Sequence, residues 1–222
     1  MTSHSGASAA SVGGPGWEPP GAPERSERQR RFQPPFSVLC VCAGNICRSP
    51  MAERLLVADA LALGGGPDVL YVHGAGTGGW HAGEPMDRQA ARQVEARGGD
   101  ASGFRARKLL AEHVEASDLV LTATIEQVDY VVELCPDAAA RTFVFGEFGR
   151  LIRNLDRPPS LTDPYDRGVA LVEAADAARS GQRPRDSDEL DDPWGRPDAY
   201  FSRVADEIHA TTKPLAEALL RR

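Results

Sequence analysis

Cysteine is scarce in this sequence, with four residues among 222, and their spacing excludes two common uses of the residue. Secreted domains held together by disulfides carry more cysteines in a shorter chain. A structural zinc site needs a second pair of ligands at comparable spacing, whereas Cys135 stands alone. We therefore expect no metal and no disulfide framework. Reactive chemistry is the remaining explanation for the cluster of Cys40, Cys42 and Cys47.

Excess basic charge and long apolar runs are also lacking. Lysine and arginine number 25 against 32 aspartates and glutamates, a net charge of −7, which argues against binding to nucleic acid or to an anionic membrane surface. No run approaches the roughly 18 apolar residues of a membrane span, and the first residues lack the charged-then-apolar order of a secretory signal. From the sequence we expect a cytoplasmic protein with neither a nucleic-acid nor a membrane partner.

Large aliphatic side chains are nearly absent from the first 35 residues, where Val12 is the only β-branched aliphatic residue and sixteen residues are Gly, Pro or Ser. Such a stretch cannot bury enough apolar surface to offset the entropy lost on ordering it, so residues 1–35 are predicted to be a disordered tail before a domain at 36–222. An acidic stretch at about 156–191 is predicted to be an insertion in that domain. We expect it to form one short helix near 169–178 and an exposed loop over 179–191.

Short apolar runs alternate with helical patterns in the rest of the chain. The predicted strands are 36–42, 69–72, 118–123 and 142–145, and the predicted helices are 50–63, 85–97, 125–134 and 197–220. Strands that alternate with helices predict a four-stranded parallel twisted sheet with helices on both faces, a Rossmann-like three-layer sandwich. Asp87 is expected to cap the helix that follows it.

The loop after the first strand carries the residues of a chemical site. Cys42 ends a buried strand and would face backbone N–H groups and a helix N-terminus, which attract anions and lower the pKa of a thiol. Five residues separate it from Arg48, so the loop can curl until both reach one bound anion, and a guanidinium matches two phosphate oxygens. The sequence therefore predicts a phosphate-binding loop, completed by Ala43, Gly44, Asn45, Ile46, Cys47 and Ser49.

The string from Cys42 to Glu53, Cys-Ala-Gly-Asn-Ile-Cys-Arg-Ser-Pro-Met-Ala-Glu, resembles the phosphate loop of the low-molecular-weight protein tyrosine phosphatases. Two further blocks resemble segments of that family: residues 75–87 resemble its second block, and residues 192–195 resemble its acid loop. The sequence as a whole most resembles actinobacterial members. The resemblance implies hydrolysis of phosphotyrosine monoesters through a cysteinyl-phosphate. It also implies no cofactor, a phosphotyrosine-containing protein as substrate, and a monomer.

The resemblance also implies a role for each catalytic side chain. Cys42 attacks phosphorus, Arg48 holds the equatorial oxygens, and Ser49 eases departure of the thiolate. Asp192 protonates the leaving phenolate and then activates water. Asp163 stands in a second Asp-Pro-aromatic string; Asp192 is preferred as the acid because it leads directly into the last helix.

Aromatic and apolar residues indicate the substrate. Trp80 and Trp194 fall where the family's cleft walls are aromatic, so they are expected to hold a phenyl ring between them. Family members that act on phosphoarginine carry a smaller polar residue where Ile46 stands, so this position fits the tyrosine-directed type. His81, beside Trp80, is interpreted as an ordinary surface histidine, and a place at the rim of the cleft is the alternative.

Three positions depart from the family pattern, which often has Ser at Gly74, His at Phe104 and Asp at Thr124. The absence of these serine, histidine and aspartate side chains is expected to reduce activity without abolishing it. Two other functions stay open: a thiol-dependent arsenate reductase, which would need a further cysteine pair where only Cys135 remains, and a phosphate-binding regulatory module without turnover. The presence of Asp192 argues against the second, because a module that only binds phosphate needs no acid.

Overall fold

A parallel four-stranded sheet forms the middle layer of the domain, in the computed structural model that describes residues 34–155 and 161–220. The spatial order of the strands is β2-β1-β3-β4, with all neighbours parallel. The strands are β1 (Phe36–Cys42), β2 (Leu70–Gly76), β3 (Leu119–Thr122) and β4 (Thr142–Val144). Residues 1–33 of the predicted tail and residues 156–160 of the predicted insertion lie outside the described residues.

The helices cover both faces of this sheet. They are α1 (Arg48–Ala62), α2 (Arg88–Ala96), α3 (Ala111–Glu115), α4 (Ile125–Leu134), α5 (Phe145–Arg153), α6 (Pro164–Arg179) and α7 (Asp198–Leu220), with short 3-10 turns at Pro136–Arg141 and Asp186–Asp188. Within the described residues, no helix combines the length and the apolar character needed to cross a membrane.

Alternate side chains of β1 explain the three layers. Cys40 and Cys42 point into a core shared with Met51 of α1, whereas Leu39 and Val41 belong to a second core on the other face. A strand that is buried on both faces needs a continuous apolar sequence instead of an alternating one. The three-layer α/β sandwich predicted from the sequence is therefore confirmed.

The direction of the strands places the candidate site. Cys42 is the last residue of β1 and pairs with Gly76 at the end of β2, while Val41 pairs with Thr122 at the end of β3. Because β2 and β3 lie on opposite sides of β1, the strand order reverses there. Open α/β sheets bind ligands outside the carboxyl ends of their strands at such a reversal.

Several elements differ from the sequence prediction, including β2, which continues to Gly76 instead of ending at residue 72. Helix α1 begins at Arg48, two residues earlier than expected, because Cys47 accepts the first helical hydrogen bond, from Met51 N–H. Helices α3 and α5 were not predicted, and α6 is longer than the expected 169–178. Asp87 does cap α2, accepting from the backbone N–H groups of Gln89 and Ala90.

The prediction of an exposed loop at 179–191 is wrong for Asp188 and Leu190, which are both buried. Asp188 is buried, and both of its carboxylate oxygens accept hydrogen bonds from Arg150 of α5, at 3.1 and 2.7 Å. Leu190 is buried in the core that contains Cys42. The end of the acidic stretch therefore packs against the domain, beside the phosphate-binding loop.

Candidate active site

Cys42 lies at the bottom of the loop that joins β1 to α1, with its thiol next to a hydroxyl. Its Sγ is 3.0 Å from Ser49 Oγ. Ser49 Oγ already accepts a hydrogen bond from Asn45 Nδ2 at 2.8 Å, so its own hydrogen is free to point at the sulfur.

Asn45 fixes the shape of the loop from behind. Its backbone has φ 54°, a left-handed conformation that Asn tolerates better than most residues. Its Oδ1 accepts from Arg107 N–H at 2.9 Å, while Arg107 Nε donates to Gly74 O at 2.7 Å. Arg107 therefore ties the loop to β2, a contact that the sequence analysis missed.

Gly74 is one of the three positions that depart from the family pattern, which often has a serine there. A Cβ on Gly74 would lie 2.9 Å from Asn45 Nδ2 and 3.1 Å from Glu53 Oε2, so the Asn45 amide occupies the space that a serine side chain would need. Burial raises the pKa of Glu53, against the lowering effect of Arg54 and Arg107. Asn45 is held here by Ser49 and by the backbone N–H of Arg107.

The other two cysteines of the cluster are poor nucleophiles. Burial raises the pKa of Cys40, with Glu53 and Cys42 adding to the effect. Burial also raises the pKa of Cys47, helped by the carboxylate of Asp87 and opposed by Arg48. Both thiols are therefore expected to stay neutral.

Arg48 joins the phosphate-binding loop to Asp192. The arginine is only 5% exposed; its NH1 donates to Leu190 O at 3.1 Å and its NH2 to Asp192 Oδ2 at 2.9 Å. Its Nε is buried without a hydrogen-bond partner among the described residues. The Asp192 side chain is 54% exposed, so it can move away from Arg48 while staying at the mouth of the site.

Asp163 lies elsewhere. It caps α6, with its Oδ1 accepting from Tyr165 N–H at 2.9 Å and from Asp166 N–H at 3.3 Å. It does not border the cavity beside Cys42. Of the two Asp-Pro-aromatic strings, the structure brings only the one with Asp192 to the loop.

A cavity of about 200 Å³ opens above Cys42. Its walls combine the loop with two indoles that stand largely in solvent, since Trp80 is 67% and Trp194 is 64% exposed. Asn45 and Ser49 are fully buried behind the loop and do not border the cavity. The lining residues are Cys42, Ala43, Gly44, Ile46, Cys47, Arg48, Trp80, His81, Asp192 and Trp194.

His81 borders this cavity, so the structure supports its alternative interpretation, a place at the rim of the cleft, and not that of an ordinary surface histidine. A Cβ on Gly44 would lie only 2.9 Å from His81 Cδ2, which places the imidazole directly on the loop. Its Nδ1 is 2.7 Å from Glu84 Oε2, and this contact orients the ring. The available signal in the sequence was its position beside Trp80.

Phe104 and Thr124, the other two positions that depart from the family pattern, lie in different surroundings. Phe104 is buried, with the Arg54 guanidinium 5.7 Å from its ring centre. Thr124 Oγ1 is buried without a partner among the described residues. The next backbone N–H, that of Ile125, donates to Glu189 Oε1 at 2.7 Å, so a carboxylate from a distant part of the sequence reaches the start of α4.

Together these groups suit nucleophilic displacement at a phosphate ester. A thiol with a hydroxyl donor can attack, a guanidinium and the loop amides can hold the oxygens, and a carboxylate at the mouth can carry a proton. Within the described residues, no group of three or more His, Cys, Asp or Glu side chains is placed to hold a metal ion.

Comparison with known proteins places the chain among phosphatases. A model of the family described as low molecular weight phosphotyrosine protein phosphatase matches residues 37–177. The chain is similar to a low molecular weight protein-tyrosine-phosphatase from Acinetobacter johnsonii, at 33% identity over 137 residues, which are 62% of this chain and 85% of the relative. The family match includes Cys42 and ends before Asp192, so the position of that carboxylate rests on geometry alone.

Solved structures share the fold. A low molecular weight protein tyrosine phosphatase from T. tengcongensis matches with a TM-score of 0.60 at 27% identity, over 82% of this chain and 98% of that one. An arginine phosphatase from Geobacillus stearothermophilus matches with a TM-score of 0.58 at 26% identity, over 82% and 92% of the two chains. Because similar structures are named for two different substrates, the substrate has to be argued from the cavity.

Proposed function

The chain belongs to the low molecular weight phosphotyrosine protein phosphatase family, and from this premise we propose that it hydrolyses phosphotyrosine monoesters on protein substrates. The family, the fold and the enzyme class expected from the sequence, a phosphoric monoester hydrolase, are confirmed. The observation that carries the proposal is that one cavity holds Cys42, Arg48 and Asp192.

The first half of the reaction forms a cysteinyl-phosphate. The Cys42 thiolate attacks phosphorus, an S–P bond forms, and the bond from phosphorus to the phenol oxygen breaks. Asp192, protonated at this point, gives its proton to the departing phenolate. Arg48 and the backbone N–H groups of the loop hold the equatorial oxygens while charge moves across them.

The second half releases inorganic phosphate. Water attacks phosphorus as Asp192, now a carboxylate, takes one of its protons. The S–P bond breaks and the electron pair returns to the Cys42 sulfur, where the hydroxyl of Ser49 stabilises the thiolate. Asp192 is left protonated for the next cycle.

Substrate binding requires an exchange of partners at Arg48. In the structure one guanidinium nitrogen binds Asp192, and a bound phosphate competes for the same nitrogen because the fork of a guanidinium matches two phosphate oxygens. Release frees the half-exposed carboxylate to reach the leaving oxygen. The ion pair is therefore a resting arrangement of the site.

The walls of the cavity favour an aryl phosphate. Trp80 and Trp194 present apolar faces at the mouth, suited to stacking on a phenyl ring. Ile46 adds an apolar side chain in the loop, where the resemblance associates a smaller polar residue with phosphoarginine. Phosphotyrosine fits these surfaces better than phosphoserine, which has no ring.

The experiment is phosphatase kinetics on matched peptides that contain phosphotyrosine, phosphoserine or phosphoarginine, with Cys42→Ser as the blank. We expect the highest kcat/KM on the phosphotyrosine peptide. A higher value on the phosphoarginine peptide would overturn the substrate while leaving the cysteine mechanism in place.

No observation favours the arsenate reductase. Cys135 lies in the core on the opposite face of the sheet from Cys42 and Cys47, so it is poorly placed to exchange disulfides with them. The monomeric state, the cytoplasmic location, and the lack of nucleic-acid and membrane partners stay predictions. The disordered tail and the insertion boundaries stay predictions as well.

A further inference from the structure

We propose that Glu189 is a positioning residue that holds the segment carrying Asp192 against the carboxyl end of the sheet. The inference rests on the proposed role of Asp192 as the proton donor. It concerns residues 185–192, here called the strap, which end the acidic stretch and lead into Pro193 and Trp194.

The upstream end of the strap is fixed on α5. Arg150 holds both carboxylate oxygens of Asp188, and Asp188 Oδ2 also accepts from the backbone N–H of Arg185 at 2.9 Å. A Cβ on Gly146 would lie 2.5 Å from Asp188 O, so only glycine lets the strap approach the helix this closely. The strap therefore starts from a rigid point.

The middle of the strap is joined to the junction of β3 and α4 by two consecutive residues. Glu189 Oε1 accepts from Ile125 N–H at 2.7 Å, and Leu190 N–H donates to Ala123 O at 2.8 Å. The first turn of a helix has unpaired N–H groups and a partial positive charge, both of which a carboxylate satisfies. Glu189 supplies that carboxylate across 64 positions of sequence.

The downstream end of the strap meets the phosphate-binding loop. Leu190 O accepts from Arg48 NH1, and Asp192 accepts from Arg48 NH2. Both bonds have to adjust when a phosphate occupies the Arg48 guanidinium, whereas the Glu189 contact is independent of the ligand. Downstream of Asp188, Glu189 is therefore a ligand-independent side-chain anchor that keeps Asp192 near the leaving group during turnover.

A competing anchor is weaker. Asp191 pairs with Arg203 of α7 at 2.6 Å, but both side chains are substantially exposed. Exposed ion pairs contribute little to stability because water and salt screen them. The Glu189 contact is partly buried and runs from a backbone donor to a carboxylate, a stronger class of hydrogen bond.

Loss of the Glu189 contact should impair the proton transfer from Asp192 and not the attack by Cys42. If the strap loosens, Asp192 spends less time in line with the leaving oxygen, while Cys42 and the loop amides stay in place. A substrate with a poor leaving group needs the proton, whereas one with a good leaving group departs without it. Loss of Glu189 therefore changes the dependence of kcat/KM on the leaving group, which a general loss of stability does not do.

The test compares Glu189→Ala, Glu189→Gln and the matched control Asp186→Ala, an exposed carboxylate on the same strap. We expect kcat/KM on phenyl phosphate to fall about tenfold in Glu189→Ala, a fraction of the ~100-fold or larger effect of a lost general acid, and to change less than about twofold on p-nitrophenyl phosphate. Glu189→Gln, which keeps an acceptor oxygen, should lie between wild type and Glu189→Ala. Inhibition by inorganic phosphate should be unchanged.

Asp192→Asn is measured beside them to separate this inference from the proposed function. Equal losses on both substrates in Glu189→Ala, or no loss, would overturn the anchoring role while a steeper leaving-group dependence in Asp192→Asn upholds the acid. An unchanged dependence in Asp192→Asn would overturn the acid assignment, and the role of Glu189 would fall with it.

Discussion

Arg48 NH2 and Asp192 Oδ2 lie 2.9 Å apart although 144 positions separate the two residues. The pair connects the phosphate-binding loop at the end of β1 with the segment that precedes α7. It places the guanidinium proposed to bind the phosphate next to the carboxylate proposed to protonate the leaving oxygen.

Removal of the Asp192 carboxylate should slow the reaction strongly. We expect Asp192→Ala to lower kcat on a phosphotyrosine peptide by about 100-fold or more, the typical share of general acid–base catalysis. Asp163→Ala is the control: it removes the cap of α6, at a cost of about 1 kcal/mol in stability, and should leave kcat within about twofold of wild type. The reverse order of effects would identify Asp163 as the acid.

Ser49→Ala should weaken the nucleophile by removing the hydroxyl 3.0 Å from Cys42 Sγ. We expect alkylation of Cys42 by iodoacetamide at one fixed pH to slow, because the sulfur loses a hydrogen-bond donor. Ser37→Ala is the matched control, since Ser37 Oγ is also buried but has no partner among the described residues. An unchanged alkylation rate in Ser49→Ala would show that the hydroxyl does not assist the sulfur.

The two indoles at the mouth should act on the ring of the substrate and not on its phosphate. Trp80→Ala and Trp194→Ala are expected to raise KM for a phosphotyrosine peptide by about 10-fold, in line with about 0.5–1.5 kcal/mol for an aromatic pair plus lost apolar contact. Inhibition by inorganic phosphate should stay as in wild type. Tyr71→Ala, which removes an exposed ring on β2, serves as the control. Equal effects on peptide and phosphate would contradict a role in ring binding.

His73 should make the folded state sensitive to acid. Burial lowers its pKa to about 4 from a usual value of 6.5, with Arg107 and His113 adding to the effect. As the pH falls from 6.5 towards 4, the unfolded chain gains a proton at this histidine that the folded chain does not, so stability is lost across that window. We expect His73→Gln to reduce the decline in urea midpoint between near-neutral pH and about pH 4.5. The same decline in both proteins would contradict the burial effect.

The local part of the site could be predicted from the sequence because its residues are neighbours. Cys42, Arg48 and Ser49 lie within one strand-to-helix turn, so their chemistry follows from a short string. The alternating strands and helices predicted the sheet for the same reason. Helix α5 was missed because it follows β4 without an intervening loop, and strand and helix patterns merge there.

The remainder depends on contacts between distant segments. Arg107 supports Asn45 through its backbone N–H, and a backbone group leaves no signal in the residue type. Glu189 and Leu190 lie in a stretch rich in charge and proline, a pattern typical of exposed loops, and only packing against β3 and α4 reveals their place. The position of His81 beside Trp80 hints at the cleft, but only the fold shows that its ring lies against Gly44.

The central claim is that Cys42 carries the phosphoryl group during turnover. The most direct measurement is a rapid acid quench of Asp192→Asn during hydrolysis of p-nitrophenyl phosphate, followed by mass spectrometry of the peptide that contains Cys42 and Cys47. This variant is expected to accumulate the intermediate because it lacks the base that activates water. Cys47→Ser in the same background tests whether the neighbouring thiol carries the adduct. The account predicts a phosphoryl adduct that persists in Cys47→Ser and is absent in Cys42→Ser, together with loss of turnover in Cys42→Ser. Appreciable turnover in Cys42→Ser, or an adduct that disappears with Cys47, would contradict it.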